Sequence, residues 1–432
     1  MITLRQALRE RILFFDGAMG TLIHSANLPK VPYPEMYNIT HPETITGIHK
    51  QYLDAGSTII SACTFGAYAH KLDNLPAIVT AAVQNAKTAI AESGHTDCFV
   101  ALDMGPTGKL LEPIGDTPFE TVYNIFKETA MLGAKNGADC VIIETMIDFY
   151  ETKAAVLAVK ENTDLPVFCS ATFEKSGRTL TGGTPLAFVT LMEGLGVDAI
   201  GLNCGAGPDF AAPIAAEIVK YASIPVLVQP NAGLPRMVDG HAEFDLTAAD
   251  FATDMEQICR AGVRLLGGCC GTTPAHIQAL IARCANIAPA QHTPEEAVYI
   301  CTCGESYRLS GTQPECGILS AVEPDVLAAL QSNDMDEIAD IAIEHKADGA
   351  DILVLRLGAP GVDEAAIMKG VINAIQQAAP IPMLIETDNA AALRIALRLL
   401  NGKAAIRLLA DDALLRQHAN DLVARYGGAL VE

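Results

Sequence analysis

A (β/α)8 TIM barrel followed by a smaller, partial α/β domain is the fold this chain predicts, and three observations carry the prediction. Eight apolar runs recur before residue 288, separated by segments of roughly 20–45 residues, each long enough for a crossover helix. Half of the residues are hydrophobic, yet tryptophan is absent and aromatics make up only 5%. Such a core is built from Ala, Val, Ile and Leu, as in parallel sheets covered on both faces. Finally, 432 residues exceed one ordinary domain and suit two, the larger a barrel.

The predicted barrel strands lie in residues 12–18, 57–65, 98–105, 138–146, 166–173, 197–204, 225–232 and 263–270. Helical periodicity marks 42–55, where Ile45, Ile48, Tyr52 and Leu53 share a face, and also 117–136, 148–160 and 210–222. An open doubly wound sheet is the competing architecture; no G-x-G-x-x-G follows the first strand, which disfavours its dinucleotide-binding version. The barrel is assigned to residues 1–287 and a linker to 288–297, with Asp239-Gly240-His241 read as a loop turn. Residues 298–432 then give five further apolar runs at 317–322, 351–357, 382–387, 404–409 and 428–431, with helices at 363–378 and 389–400. Five strands make half a barrel or a small open sheet. Its unpaired edge must dock on the first domain or on another chain, the latter giving a homo-oligomer through the C-terminal domain.

A net charge of -22 repels nucleic acid and anionic membranes, so neither is expected as a partner. No stretch approaches the ~20 apolar residues of a membrane span. The first eleven residues form an amphipathic pattern of mixed charge and not a signal peptide. Twelve cysteines lack the spacing of a disulfide framework, and Cys140 and Cys169 sit inside apolar strands as small core residues. A reducing cytoplasm is the expected compartment.

Residues 267–274 read Gly-Gly-Cys-Cys-Gly-Thr-Thr-Pro at the end of the eighth run. Neighbours in a regular strand point to opposite faces; the glycines free the backbone to turn both thiols one way. Cys204, in Gly201-Leu202-Asn203-Cys204-Gly205, ends the sixth run. Alternate barrel strands contribute to one layer, so Cys204, Cys269 and Cys270 are expected to meet at the rim and hold zinc. Three thiolates with an open fourth position are the pattern of a catalytic zinc site. A thiol arriving there is held as thiolate and stays nucleophilic, which points to S-alkylation of a small thiol.

Several motifs resemble the homocysteine S-methyltransferases: Asp16-Gly17-Ala18-Met19-Gly20-Thr21, Thr64-Phe65-Gly66, Gly105-Pro106-Thr107-Gly108, Glu144-Thr145, Gly201-Leu202-Asn203-Cys204, Gln229-Pro230-Asn231-Ala232-Gly233 and Gly267-Gly268-Cys269-Cys270-Gly271. Within that family the likeness is to the N-terminal module of cobalamin-dependent methionine synthases. The resemblance implies zinc on Cys204, Cys269 and Cys270, with Asp16 and Glu144 taking the homocysteine ammonium and the backbone at Gly17 and Ala18 its carboxylate. It also places Thr64 and Asn203 among the substrate-binding residues. Where the family carries Asn-Thr-Phe, this chain has Cys63-Thr64-Phe65, and Cys63 is read as a bystander, not a fourth ligand. The implied reaction gives methionine, with methylcobalamin carried by a separate corrinoid protein and not bound by this chain alone, since no Asp-x-His-x-x-Gly occurs. A small donor (betaine or S-methylmethionine) and a non-catalytic thiol- or metal-binding scaffold are the rival functions.

The second domain resembles the start of a pterin-binding barrel whose polar motifs have been replaced. Val354-Leu355-Arg356, Ile385-Glu386-Thr387 and Ile406-Arg407-Leu408 stand at the three positions. An aliphatic cleft suited to packing, and no binding of methyltetrahydrofolate, is expected there. Cys301, Cys303 and Cys316 are taken as incidental thiols in a linker-like stretch.

Overall fold

The computed structural model describes residues 2–238, 241–289 and 293–432. Parts of the 239–241 turn and of the 288–297 linker therefore lie outside the described residues. Among the described residues, no helix is long and apolar enough to cross a membrane.

Leu4–Glu10 is a short helix with a capping box: the Thr3 hydroxyl accepts from the Gln6 N–H, and the Gln6 side chain accepts from the Thr3 N–H. Leu4, Ala7 and Leu8 point into the barrel interior, and Arg5 fixes the helix to Asp198 at 2.7 Å. The helix plugs the end of the barrel opposite the strand C-termini.

The eight barrel strands are Leu13–Phe14, Ile59–Ser61, Phe99–Met104, Cys140–Met146, Val167–Ala171, Ala199–Cys204, Val226–Pro230 and Leu265–Leu266. Each lies inside a predicted run. All pair in parallel, the order running first, eighth, seventh and so on down to second. The bridge between Phe15 and Ile59 joins the first strand to the second and closes the ring.

Period-two alternation sorts the side chains into two cores. Outward residues such as Val100, Leu102, Val141 and Ile143 pack under the helices. Inward residues, among them Phe15, Ile59, Phe99, Ala101, Cys140, Ile142 and Phe168, fill the interior. One rung further along, the inward positions turn polar: Ser61, Asp103, Glu144, Ser170, Asn203 and Gln229. The barrel is thus oily below and polar at its mouth.

In the second domain Cys316–Ser320, Ile352–Arg356, Met383–Glu386, Ala405–Arg407 and Ala429–Leu430 form a five-stranded parallel sheet in sequential order. A helix of this domain packs against the barrel's own helices. Lys153, fully buried in the barrel helix Phe149–Asn162, donates to the carbonyls of Leu397 (2.6 Å) and Leu400 (2.8 Å) at the C-terminus of a second-domain helix. Arg398 grips Glu120 through two hydrogen bonds, 2.6 and 2.9 Å, while lying over Tyr123.

Two expectations for this domain need correction. The stretch around Cys301 is not linker-like: Tyr299–Thr302 is a strand paired with Ser306–Arg308 and with Gly402–Lys403. Cys301 is buried with its thiol toward the Ala187 carbonyl, and the hairpin covers the sheet face bearing Ile352, Val354 and Leu384. The rim is not aliphatic either. Arg356, Glu386 and Arg407 are neighbours in register across three strands, and the buried Glu386 is gripped from both sides at 2.6 and 2.8 Å.

Candidate active site

The eighth strand ends at Leu266, and the loop that follows is fastened on both sides. Gly268 N–H donates to the Asp16 carbonyl (3.1 Å), Cys269 N–H to Pro230 (2.8 Å), and Ala232 N–H to Cys270 (2.9 Å). The fully buried Thr272 organises the turn. Its hydroxyl donates to the Cys269 carbonyl at 2.7 Å and accepts from Ala18 N–H at 3.2 Å. A Cβ on Gly268 would sit 2.5 Å from that hydroxyl, and one on Gly17 2.6 Å. Both glycines are therefore required by close approach.

Cys204 reaches the same place from the sixth strand through a left-handed backbone, φ 61°, a costly conformation for a residue with a side chain. The sulfurs of Cys204, Cys269 and Cys270 lie within 4.8 Å of one another. A tetrahedral zinc with bonds of about 2.3 Å needs sulfurs about 3.8 Å apart, so the trio fits with little adjustment. Protons are shared unevenly among the three. Hydrogen bonds from the other two thiols pull Cys204 down to about 3; those bonds push Cys269 far up, and the bond to Cys204, with burial, lifts Cys270 to about 11. Cys63 is buried in the cleft wall beside Pro34 and stays outside this trio.

The sulfurs open on a cleft of about 810 Å³ at the barrel mouth, lined also by Asp16, Gly17, Ala18, Glu35, Ser61, Asp103, Glu144 and Phe244. Asp16 accepts from Ser61 N–H (2.8 Å) and Ser61 Oγ (3.1 Å). Burial nonetheless raises it to about 7. Glu144 is raised to about 8 by burial and then by the negative charges of Asp16 and Cys204. Carboxylates so desolvated gain most from an incoming cation.

The other expected substrate residues are placed differently. Thr64 is fully buried, its hydroxyl donating to the Asp103 carbonyl at 2.8 Å and accepting from Asp103 N–H at 3.0 Å. The Asn203 carboxamide bonds to both Thr145 N–H and Thr145 Oγ1 at 2.8 Å, and accepts from Ser170 Oγ at 2.8 Å. Thr145 has a left-handed backbone, φ 60°, so Asn203 holds the turn that presents Glu144. Neither Thr64 nor Asn203 lines the cleft, although Asn203 Nδ2 lies 4.0 Å from Cys269 Sγ, and the Ala18 N–H is already engaged by Thr272. Sequence analysis passed over Ser61, Asp103 and Thr272. The first two were visible as the polar rung of the inward alternation; Thr272 gave no signal beyond its motif.

A second cavity, about 650 Å³, lies between the domains beside Lys369 and Arg398. These two cations are paired with Glu112, Glu120 and Glu161, and no sulfur lines the cavity.

The sequence pattern of the homocysteine S-methyltransferases matches residues 13–284, which is the barrel. The chain belongs to that family. Among homocysteine S-methyltransferase relatives, the methionine synthase of Mycobacterium tuberculosis is 32% identical over 438 aligned positions, 93% of this chain and 36% of that protein. That of Mycobacterium leprae is 30% identical, covering 99% of this chain and 38% of its own length. The chain thus spans little more than a third of these curated relatives. The homocysteine methyltransferase MmuM from Escherichia coli, in its apo and metallated forms, superposes with TM-scores of 0.52 and 0.53 at 25% identity. Each superposition covers 64% of this chain and 97% of the bacterial enzyme.

Proposed function

We propose that this chain is a zinc-dependent methyltransferase that makes methionine from homocysteine, with a methylated corrinoid protein as donor. The observation that carries the proposal is the convergence of three cysteine sulfurs within 4.8 Å at the mouth of a barrel whose opposite wall is buried carboxylate. Cys204, Cys269 and Cys270 would hold the metal, which supplies the Lewis acidity that keeps a substrate thiol ionised at neutral pH.

The remaining work falls to the chain. Asp16 and Glu144 accept hydrogen bonds from the substrate ammonium, and Ser61 keeps Asp16 oriented. The thiol proton leaves to solvent on binding. The sulfur lone pair then attacks the methyl carbon, and the donor's bond to that carbon breaks with its electron pair staying on the donor. Phe65 is exposed at the cleft edge, so a large donor can reach the sulfur from above. The corrinoid donor rests on the likeness to methionine synthases, which extends through the second domain. A small donor, betaine or S-methylmethionine, is the alternative.

Zinc content is measured in the wild type and in Cys204→Ala, Cys269→Ala and Cys270→Ala, followed by a methyl-donor screen with homocysteine. One zinc per chain, lost in each variant, and methionine formed only with methylated corrinoid protein is the expected result. Undiminished zinc in all three variants refutes the metal site, and methionine from betaine or S-methylmethionine reassigns the donor.

A further inference from the structure

The cleft has a charge imbalance that Asp16 and Glu144 alone do not describe. Asp16, Glu35, Asp103 and Glu144 all line it, together with His24, while no lysine or arginine does so among the described residues. Four carboxylates gathered on one space favour a cationic guest.

Their spare capacity differs. Asp16 is occupied by Ser61 at both oxygens. One oxygen of Glu35 accepts from Gly66 N–H at 2.6 Å, and its other, Oε2, is buried with no hydrogen-bond partner. Asp103 is 8% exposed, and its Oδ1 is buried with no hydrogen-bond partner. A buried carboxylate oxygen left unmatched is costly unless a ligand completes it. Its position is firm, because Thr64 Oγ1 ties the Asp103 backbone at both N–H and carbonyl. Asp103 is paired in register with Ile142, so Glu144, two residues on, projects from the adjacent strand on the same inward face.

We propose that Asp103 is a third acceptor for the substrate ammonium and sets the preference for an α-amino thiol over the same thiol without its amine. This rests on the assignment of homocysteine as substrate. An ammonium has three N–H donors; Asp16, Glu144 and Asp103 would take one each. Burial first, and then the charges of Glu144, Asp16 and Glu35, hold Asp103 well above the usual carboxylate range, as fits a group awaiting a positive partner.

The test compares two ligands by calorimetry on the zinc-loaded protein: homocysteine and 4-mercaptobutanoate, which lacks only the α-amino group. In Asp103→Asn the preference for homocysteine should fall by about tenfold or more, the loss typical of a charge-assisted hydrogen bond, with zinc content unchanged and 4-mercaptobutanoate bound at least as well as before. A merely structural role would weaken both ligands alike, and that result, or an unchanged preference, overturns the inference. If Asp103→Asn does not fold, Asp103→Ser gives the same comparison. Failure of the wild type to bind homocysteine at all would instead overturn the substrate assignment, and this inference with it.

Discussion

Gly268→Ala tests whether the cysteine pair is held by backbone geometry. The added Cβ would lie 2.5 Å from Thr272 Oγ1, 2.6 Å from its Cγ2 and 2.8 Å from its Cβ. Thr272 is fully buried and bonded to Ala18 and Cys269, so it has nowhere to retreat. Relief must come from the loop, which carries Cys269 and Cys270 away from Cys204. Overpacking of this kind costs about 1–3 kcal/mol. Displacing groups that orient metal ligands typically lowers affinity by about 10–100-fold. Zinc affinity by chelator competition and thermal unfolding of the metal-free protein measure the two effects separately. Gly47→Ala is the control: its Cβ meets nothing within 4 Å inside the helix Pro42–Asp54, and it should stabilise by about 0.5–1 kcal/mol. Wild-type zinc affinity in Gly268→Ala would refute the account of how this turn gathers its thiols.

Two further outcomes follow from the site and the interface. Ser61→Ala removes one of the hydrogen bonds that hold Asp16 down near 7. An ammonium needs that carboxylate ionised, so affinity falls as pH drops below about 7 in the wild type. In the variant the midpoint moves to higher pH, and homocysteine binding at pH 7 weakens roughly threefold to tenfold; an unmoved midpoint by calorimetry across pH would count against Asp16 as the acceptor. Arg398→Ala removes a pair of hydrogen bonds to Glu120 and the packing over Tyr123. It should loosen the second domain by about 2 kcal/mol, read as faster amide exchange in Ala390–Leu399 with barrel exchange unchanged. Uniform exchange across both domains would contradict a local clamp.

Sequence by itself determined the barrel, because eight aliphatic runs separated by helix-length segments leave a parallel closed sheet as the economical way to bury both faces. It also singled out the cysteines that converge: strand-end position and flanking glycines set Cys204, Cys269 and Cys270 apart from Cys140 and Cys169. The tertiary structure decided what depends on contacts distant in the chain. Thr64 and Asn203 carry motif signatures, but only packing reveals that their polar groups engage Asp103, Thr145, Ser170 and, from Asn203 Nδ2, the Cys269 sulfur. Asp103 is an ordinary acidic residue in the sequence; burial beside Glu144 makes it a candidate for binding. The strand at Tyr299–Thr302 was hidden because its partners are a short hairpin arm and Gly402–Lys403, about a hundred residues away. The Arg356–Glu386–Arg407 row was hidden for the same reason: register between strands, and with it the meeting of charges, is settled by the fold as a whole.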